Sequence, residues 1–171
     1  AVYGICARIQ SVVTVGVHGI DNGLIPIVAY NYGAGKQERI EEAIKWTLLY
    51  SAVFYVIFFA CLEGIPTVVL RIFDASEHML AIGIPALRIL GLSYFVSIPN
   101  LVCAAALQGL SLGTKSMCLT MARQAVLPIL LALVLQSFGN LNLIWLAFVL
   151  AELTGVPMAV MLWKRCNKEA V

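Results

Sequence analysis

Four residues near the start of the chain, His18, Asp21, Asn22 and Ile25, share the spacing i, i+3, i+4 and i+7. That spacing places them on one face of a helix. The carbonyl of Asn22 is left without its usual donor, because Pro26 has no N–H. An acid, an imidazole, an amide and a free carbonyl would together suit a proton or a small cation. The alternative is a buried polar cluster that only holds helices together.

A second acid, Glu152, lies near the middle of another apolar segment, beside the small residues Ala151 and Gly155. Small residues permit close helix packing around an acid. Such a carboxyl group could exchange a proton or neutralise a cation when its surroundings change from dry to wet, so we expect it to couple an ion to transport. The alternative is a structural acid paired with a base such as Arg8 or Arg88, or one that faces a wet crevice passively.

The elements that position these acids are long apolar segments. The chain is 61% hydrophobic and 12% charged, whereas soluble domains carry about 25% charged residues. About 20 apolar residues cross a bilayer as a helix. We therefore predict an all-α membrane protein with a single membrane domain, residues 1–171, and five transmembrane helices. The predicted spans are 4–34, 44–70, 84–112, 116–137 and 141–163.

The distribution of Lys and Arg predicts the orientation of these helices. Eight basic residues fall on the side of the first connection (33–45), the third connection (113–116) and the C-terminal tail, and three fall on or near the other side. The eight are Lys36, Arg39, Lys45, Lys115, Arg123, Lys164, Arg165 and Lys168, and the three are Arg8, Arg71 and Arg88. This bias places the first side in the cytoplasm. We expect a plasma (bacterial inner) membrane protein with a cytoplasmic C-terminus.

The connections between the spans are short. The charged run 36–45 is expected to be a cytoplasmic loop, preceded by a left-handed cap at Gly33 or Gly35. Asp74 followed by Glu77 resembles a capping box that would begin the third membrane helix.

Several other classes of function find little support. A net charge of +2 with no basic cluster does not indicate a nucleic-acid partner. The five cysteines are widely spaced and suggest neither disulfides nor a metal site. With two histidines and no hydrolase motif, enzymatic activity is not expected. We expect no cofactor other than a coupling ion.

Three stretches together resemble a known family. They are "GLIPIVAYNYGAGKQERI" at 23–40, "AALQGLSLGTKS" at 105–116 and "NLIWLAFVLAELTG" at 142–155. In order and spacing they resemble the multidrug and toxic compound extrusion (MATE) transporters, at a helix end with Asn31, Gly33 and Ala34, at a Gln-Gly turn, and in the last helix. The resemblance covers nearly the whole chain. One departure is the absence of any acid in 94–109, where some members carry an aspartate.

The resemblance implies a fold and a function. Members of this family resemble two six-helix bundles around a cavity, and the five spans correspond to the second bundle without its first helix, roughly a C-terminal half. The implied partners are small organic cations, the lipid bilayer, and a missing N-terminal bundle or another copy of the chain. The implied function is secondary active multidrug efflux, as an antiporter of cationic or amphipathic xenobiotics against H⁺ or Na⁺.

The residues expected to carry transport are Glu152, Asp21, His18 and Asn22, and those expected to line the cavity are Asn31, Asn100 and Gln108. Two alternatives stay open. One is a lipid-linked flippase of the wider superfamily, whose cavity should be strongly basic at mid-depth, whereas the midplane groups found in the sequence are acidic. The other is a non-transporting membrane subunit or fragment.

Overall fold

Long helices account for most of the chain in the computed structural model, which describes residues 2–73, 76–139 and 141–169. The helices are α1 (Val2–Gly33), α2 (Gln37–Gly64), α3 (Pro66–Arg71), α4 (Glu77–Gly109), α5 (Gly113–Met121), α6 (Leu127–Leu135) and α7 (Leu141–Glu169). A π-helical turn, Ala122–Val126, joins α5 to α6, and a 3₁₀ turn, Gln136–Phe138, follows α6. In the described part of the chain, five helical segments are long and apolar enough to cross a membrane. They lie in α1, α2, α4 and α7 and in the continuous run from α5 through the π-helical turn to α6. The prediction of an all-α membrane protein with five spans is therefore confirmed.

Helix α4 is the central element, and it packs against α1, α2, α3, α5 and α7. It approaches α1 closely at Gly109, where an added Cβ would lie 2.6 Å from the Cβ of Val28 and 2.9 Å from the carbonyl oxygen of Ile25. Only glycine leaves room for this crossing, so α1 and α4 are held together near the ends of both helices. This contact fixes the position of the polar face of α1 relative to α4.

The outer surface of the bundle is apolar. Large exposed side chains follow one face of α2, including Trp46, Tyr50 and Val53, and another face of α6, including Ile129 and Leu133. A water-soluble protein would not leave so much contiguous apolar surface exposed. These faces are those that lipid would cover.

The first connection is shorter than the sequence suggested. The charged run 36–45 was expected to be a loop, but it is helical from Gln37 onward. Its residues are good helix formers, and Glu41 lies four residues before Lys45, a spacing that supports a helix. The expectation of a loop is therefore wrong, because a charged segment beside a membrane can simply extend the helix beyond it.

The cap before this connection lies at Gly35, whose φ of +66° is in the left-handed region. The N–H of Gly35 bonds to the carbonyl of Tyr32 at 3.0 Å, and that of Lys36 to the carbonyl of Asn31 at 2.9 Å. These two bonds are those of a Schellman motif. Of the two glycines proposed for the cap, Gly35 is the one that adopts it.

The start of α4 differs from the expected capping box. Ser76 is the N-cap, and its hydroxyl accepts a hydrogen bond from the N–H of Met79 at 3.4 Å. Asp74, which was expected to serve as the cap, lies outside the described residues. Glu77 is the first residue of the helix and pairs with Arg71 at 3.0 Å. The cap is a serine because it directly precedes the first helical residue.

Candidate functional site

A buried ion pair joins two of the membrane helices. The Nη1 atom of Arg123, in the π-helical turn, lies 2.6 Å from Oε1 and 2.8 Å from Oε2 of Glu152 on α7. The Arg123 side chain is 1% exposed and that of Glu152 is 14% exposed. A charge so far from water requires a counter-charge, so each residue accounts for the presence of the other.

Asn100, on α4, connects this pair to the central helix. Its Nδ2 donates to Oε2 of Glu152 at 2.8 Å and to the main-chain oxygen of the same residue at 3.0 Å. Gly155 lies about one turn further along α7, and an added Cβ there would be 3.0 Å from Nδ2 of Asn100. The glycine therefore leaves room for the amide, and three membrane helices meet at one carboxylate.

The position of Arg123 depends on the π-helical turn. The N–H of Leu127 bonds to the carbonyl of Ala122, five residues earlier. Pro128 follows and has no N–H to offer the carbonyl of Gln124, so that carbonyl lacks its α-helical donor at this point. Turns of this kind are frequent at functional sites. The sequence thus interrupts the helix at the residue that carries the buried positive charge.

Asp21, on α1, is a second buried acid, 5% exposed. Its Oδ1 has no hydrogen-bond partner among the described residues, and the same holds for Nε and Nη2 of Arg123. Asp21 and Arg123 line one cavity of about 150 Å³ together with His18, Asn22 and Gln108. An acid without a partner and a half-paired guanidinium therefore face a common space.

A larger open cavity of about 470 Å³ lies beside the first and shares His18 and Arg123 with it. Its polar lining residues are Gln10, Ser11, Thr14, His18, Ser93, Arg123, Gln124 and Glu152. These side chains come from α1, α4, α7 and the π-helical turn. Hydroxyl, amide and charged groups on one wall can bind water and polar ligands, in contrast to the apolar outer faces of the bundle.

The structure brings most of the expected residues together. His18 and Asn22 are exposed and line the smaller cavity beside Asp21. Gln108 lines it too and donates to the hydroxyl of Ser116 at 3.2 Å. Glu152 lies on the larger cavity, which shares a wall with the smaller one through Arg123.

Two of the proposed cavity residues have other surroundings. Asn100 is 0% exposed and serves as a partner of Glu152. Asn31 is 8% exposed, and its Nδ2 donates to the carbonyl of Ile27 in its own helix at 2.8 Å. Their amides thus bind protein atoms within the bundle.

The main residue that sequence reasoning missed is Arg123. It was counted with the cytoplasmic charges, whereas Arg8 and Arg88 were considered as partners for Glu152. Arg88 instead pairs with Glu63 at 3.1 Å near the opposite end of the bundle. One signal was available, since the predicted span 116–137 encloses Arg123. Without it the charge bias is seven to three, which still favours the same orientation.

This residue also changes the expected electrostatics. The midplane was expected to be acidic throughout, which served as an argument against anionic substrates. The described site instead contains two acids, Asp21 and Glu152, and one buried base, Arg123. Its formal charge with His18 neutral is one negative unit, carried by the acid that has no ion-pair partner among the described residues.

Comparisons with known proteins agree with this architecture. The family model MatE matches residues 1–134. The fold matches an outward-facing multidrug resistance MATE family transporter of the MOP superfamily with a TM-score of 0.91 at 20% identity, over 99% of this chain and 38% of that one. It also matches the MATE multidrug transporter DinF-BH with a TM-score of 0.83 at 30% identity, over 96% of this chain and 37% of that one.

A third match is a MOP superfamily transporter from Pyrococcus furiosus, for which reverse polarity of the binding pocket is described as suggesting a different function. Its TM-score is 0.92 at 20% identity, over 99% of this chain and 39% of that one. No curated protein matches. The chain spans about two fifths of the length of these transporters, with the fold of one helical bundle. Because the family model covers well over half of its residues, the chain belongs to the MATE family.

Proposed function

We propose that the chain forms part of a secondary active transporter that exports cationic or amphipathic organic compounds in exchange for H⁺ or Na⁺. Membership of the family supports a transporter, and the net negative charge of the site supports a positively charged substrate. The observation that carries the proposal is Asp21, a buried acid with an unpartnered oxygen, on the same cavity as the Arg123–Glu152 pair. An unpaired carboxylate at mid-membrane is costly unless it binds a proton or a cation.

The two acids have different tasks in this proposal. Glu152 is already neutralised by Arg123 and bonded by Asn100, so it fixes the wall of the site. Asp21 has no ion-pair partner among the described residues. It is therefore the first candidate to take up the coupling ion. His18 and Asn22 line the same cavity and can offer a nitrogen or an oxygen to that ion.

The proposed setting is the bacterial inner membrane, with the C-terminus in the cytoplasm. The polar wall of the larger cavity is open on one side, and a second bundle or another copy of the chain would close it. This partner would supply the other half of the substrate site.

Efflux measurements test the proposal. Inverted membrane vesicles containing the protein in its natural genetic context are given a fluorescent cationic dye in the outer medium, and its uptake is followed under a pH gradient alone or a Na⁺ gradient alone. We expect one gradient to drive dye transport, and Asp21→Asn to abolish it at unchanged protein abundance. Equal transport by the parent and the Asp21→Asn protein would refute the role of the acid, because an amide cannot exchange a proton.

A second candidate is a flippase for lipid-linked anions, and one observation favours it. Beside the cavity, two donor atoms of Arg123 have no hydrogen-bond partner among the residues that the structure describes, and a guanidinium is well suited to a phosphate group. Translocation of a fluorescent anionic lipid in proteoliposomes, with no dye efflux, would favour this function. If the folded protein shows neither dye efflux nor lipid translocation, a non-transporting subunit is favoured.

A further inference from the structure

An apolar groove that shares no lining residue with the polar cavities lies between α2, α4 and α7. Its volume is about 160 Å³, and its walls include Ile44, Leu48, Val102 and Val160. At its base the Sγ of Cys103 donates to the carbonyl of Ala159 at 3.2 Å, which closes the gap between α4 and α7. The groove is therefore a defined depression on a lipid-facing surface.

One end of the groove is marked by Trp163 and Lys164, which both line it. Trp side chains are enriched where the hydrocarbon meets the headgroups, and lysines near helix ends extend toward the headgroups. The order of residues agrees with this depth, since Ile44 lies near the start of α2 and Lys164 near the end of α7. The groove thus runs from the interface into the hydrocarbon.

The end of the bundle that carries Lys164 differs in charge pairing from the opposite end. Lys164 forms no ion pair within the described ranges, whereas Arg71 pairs with Glu77 and Arg88 with Glu63 at the opposite end. Lys115 also lies here, with its Nζ 3.3 Å from the Sγ of Cys166. Lys164, which has no ion-pair partner within the described ranges and lines an apolar groove, complements a molecule with an anionic head and an apolar chain.

We propose that this groove binds an anionic phospholipid, with one acyl chain between α2, α4 and α7 and the phosphate at Lys164. Basic pockets between transmembrane helices on the cytoplasmic side bind such headgroups. The acyl chain would fill the space between α2 and α7, which both pack against α4. The site is independent of the transport cavities and of the proposed coupling acids.

Native mass spectrometry tests this site on the protein purified from its own membranes. Phosphatidylglycerol and phosphatidylcholine with identical acyl chains are added separately, and retained lipid is counted. We expect preferential retention of phosphatidylglycerol and a loss of about fivefold in that preference for Lys164→Gln, since one lysine near the surface contributes about that factor. Arg165→Gln is the matched control, because Arg165 is exposed at the same level but does not line the groove.

A second variant tests the acyl chain. Val160, 42% exposed on the groove wall, is replaced by Trp to fill the space without removing charge. We expect this variant to lose the preference as well, and glycerophosphoglycerol without acyl chains not to compete. Equal retention of both lipids by the parent protein, or an equal loss in Arg165→Gln, would overturn the proposal and leave only a non-specific lipid layer.

Discussion

Replacing Glu152 by Gln should destabilise the protein, because it leaves the Arg123 guanidinium buried without a counter-charge. Arg123 is 1% exposed and its closest contact is the 2.6 Å bond to Glu152. Removing one partner of a buried ion pair costs about 3–5 kcal/mol. A Gln oxygen still accepts one hydrogen bond, so we expect about 3 kcal/mol, at the lower end of that range. For a chain of this size that corresponds to roughly 6–12 °C in melting temperature.

Thermal unfolding of the purified protein in a mild detergent measures this loss. The matched control is Glu63→Gln, whose partner Arg88 is 55% exposed while Glu63 itself is 36% exposed. An exposed pair contributes about 1 kcal/mol or less, so this control should melt close to the parent. Both Gln variants delete one acid from an acid–arginine pair, and the two pairs differ in burial and in the Asn100 amide that also bonds Glu152.

The double variant Arg123→Gln with Glu152→Gln completes a thermodynamic cycle. Without the arginine there is no buried charge to strand, so the double variant should be more stable than Glu152→Gln alone. The reasoning is refuted if Glu152→Gln melts within about 2 °C of the parent, the shift that as little as about 0.5–1 kcal/mol would produce. It is equally refuted if the double variant is the least stable of the set.

Three further outcomes are expected. Asp21→Asn should keep or raise the melting temperature, because it removes a buried charge whose Oδ1 has no hydrogen-bond partner in the described part of the chain, while ion-driven dye efflux is lost. Gly155→Ala should cost about 1–3 kcal/mol in a thermal melt, because its Cβ would press on Asn100 at 3.0 Å. In a cysteine-free background, a membrane-impermeant thiol reagent added outside should label single cysteines at 76–78 but not at 36–40.

Each of these outcomes has a control or a contrary result. Gly23→Ala, on α1, meets no atom within 4 Å and should melt within about 3 °C of the parent, apart from any gain in helix propensity. A Gly155→Ala protein as stable as that control would show that Asn100 yields without cost. Labelling at 36–40 but not at 76–78 would show that the orientation in the membrane is opposite to the predicted one. Efflux by Asp21→Asn at the parent rate would make Asp21 structural.

The sequence was sufficient for what depends on local spacing. The grouping of His18, Asp21 and Asn22 follows from helical periodicity, and all three line one cavity. The five spans follow from length and hydropathy, which depend on the membrane rather than on tertiary contacts. The left-handed turn at Gly35 follows from the conformational freedom of glycine.

What the sequence could not supply was the pairing between distant segments. Asn100 and Glu152 are 52 positions apart, and their contact exists only once α4 packs on α7. Arg123 was misplaced because a basic residue a few turns from a helix end can extend its side chain to the surface. Only the packing of α7 shows that its side chain turns inward instead. The helical start at Gln37 was missed because charge predicts exposure to water, and an exposed residue can still be helical.

The π-helical turn at Ala122–Val126 has a consequence for how this site can vary among related proteins. Bonding to the fifth residue rather than the fourth means that this turn holds one residue more than an α-helix would. Deleting one residue there would remove the surplus and restore a regular helix, with the residues on both sides of the turn kept in register. Only residues inside the turn would change direction, and Arg123 is one of them, so its guanidinium would shift relative to the Glu152 carboxylate while the apolar flanks stayed in place. The length of this one turn, measured in single residues, therefore sets the direction of the buried cation without moving the rest of the helix.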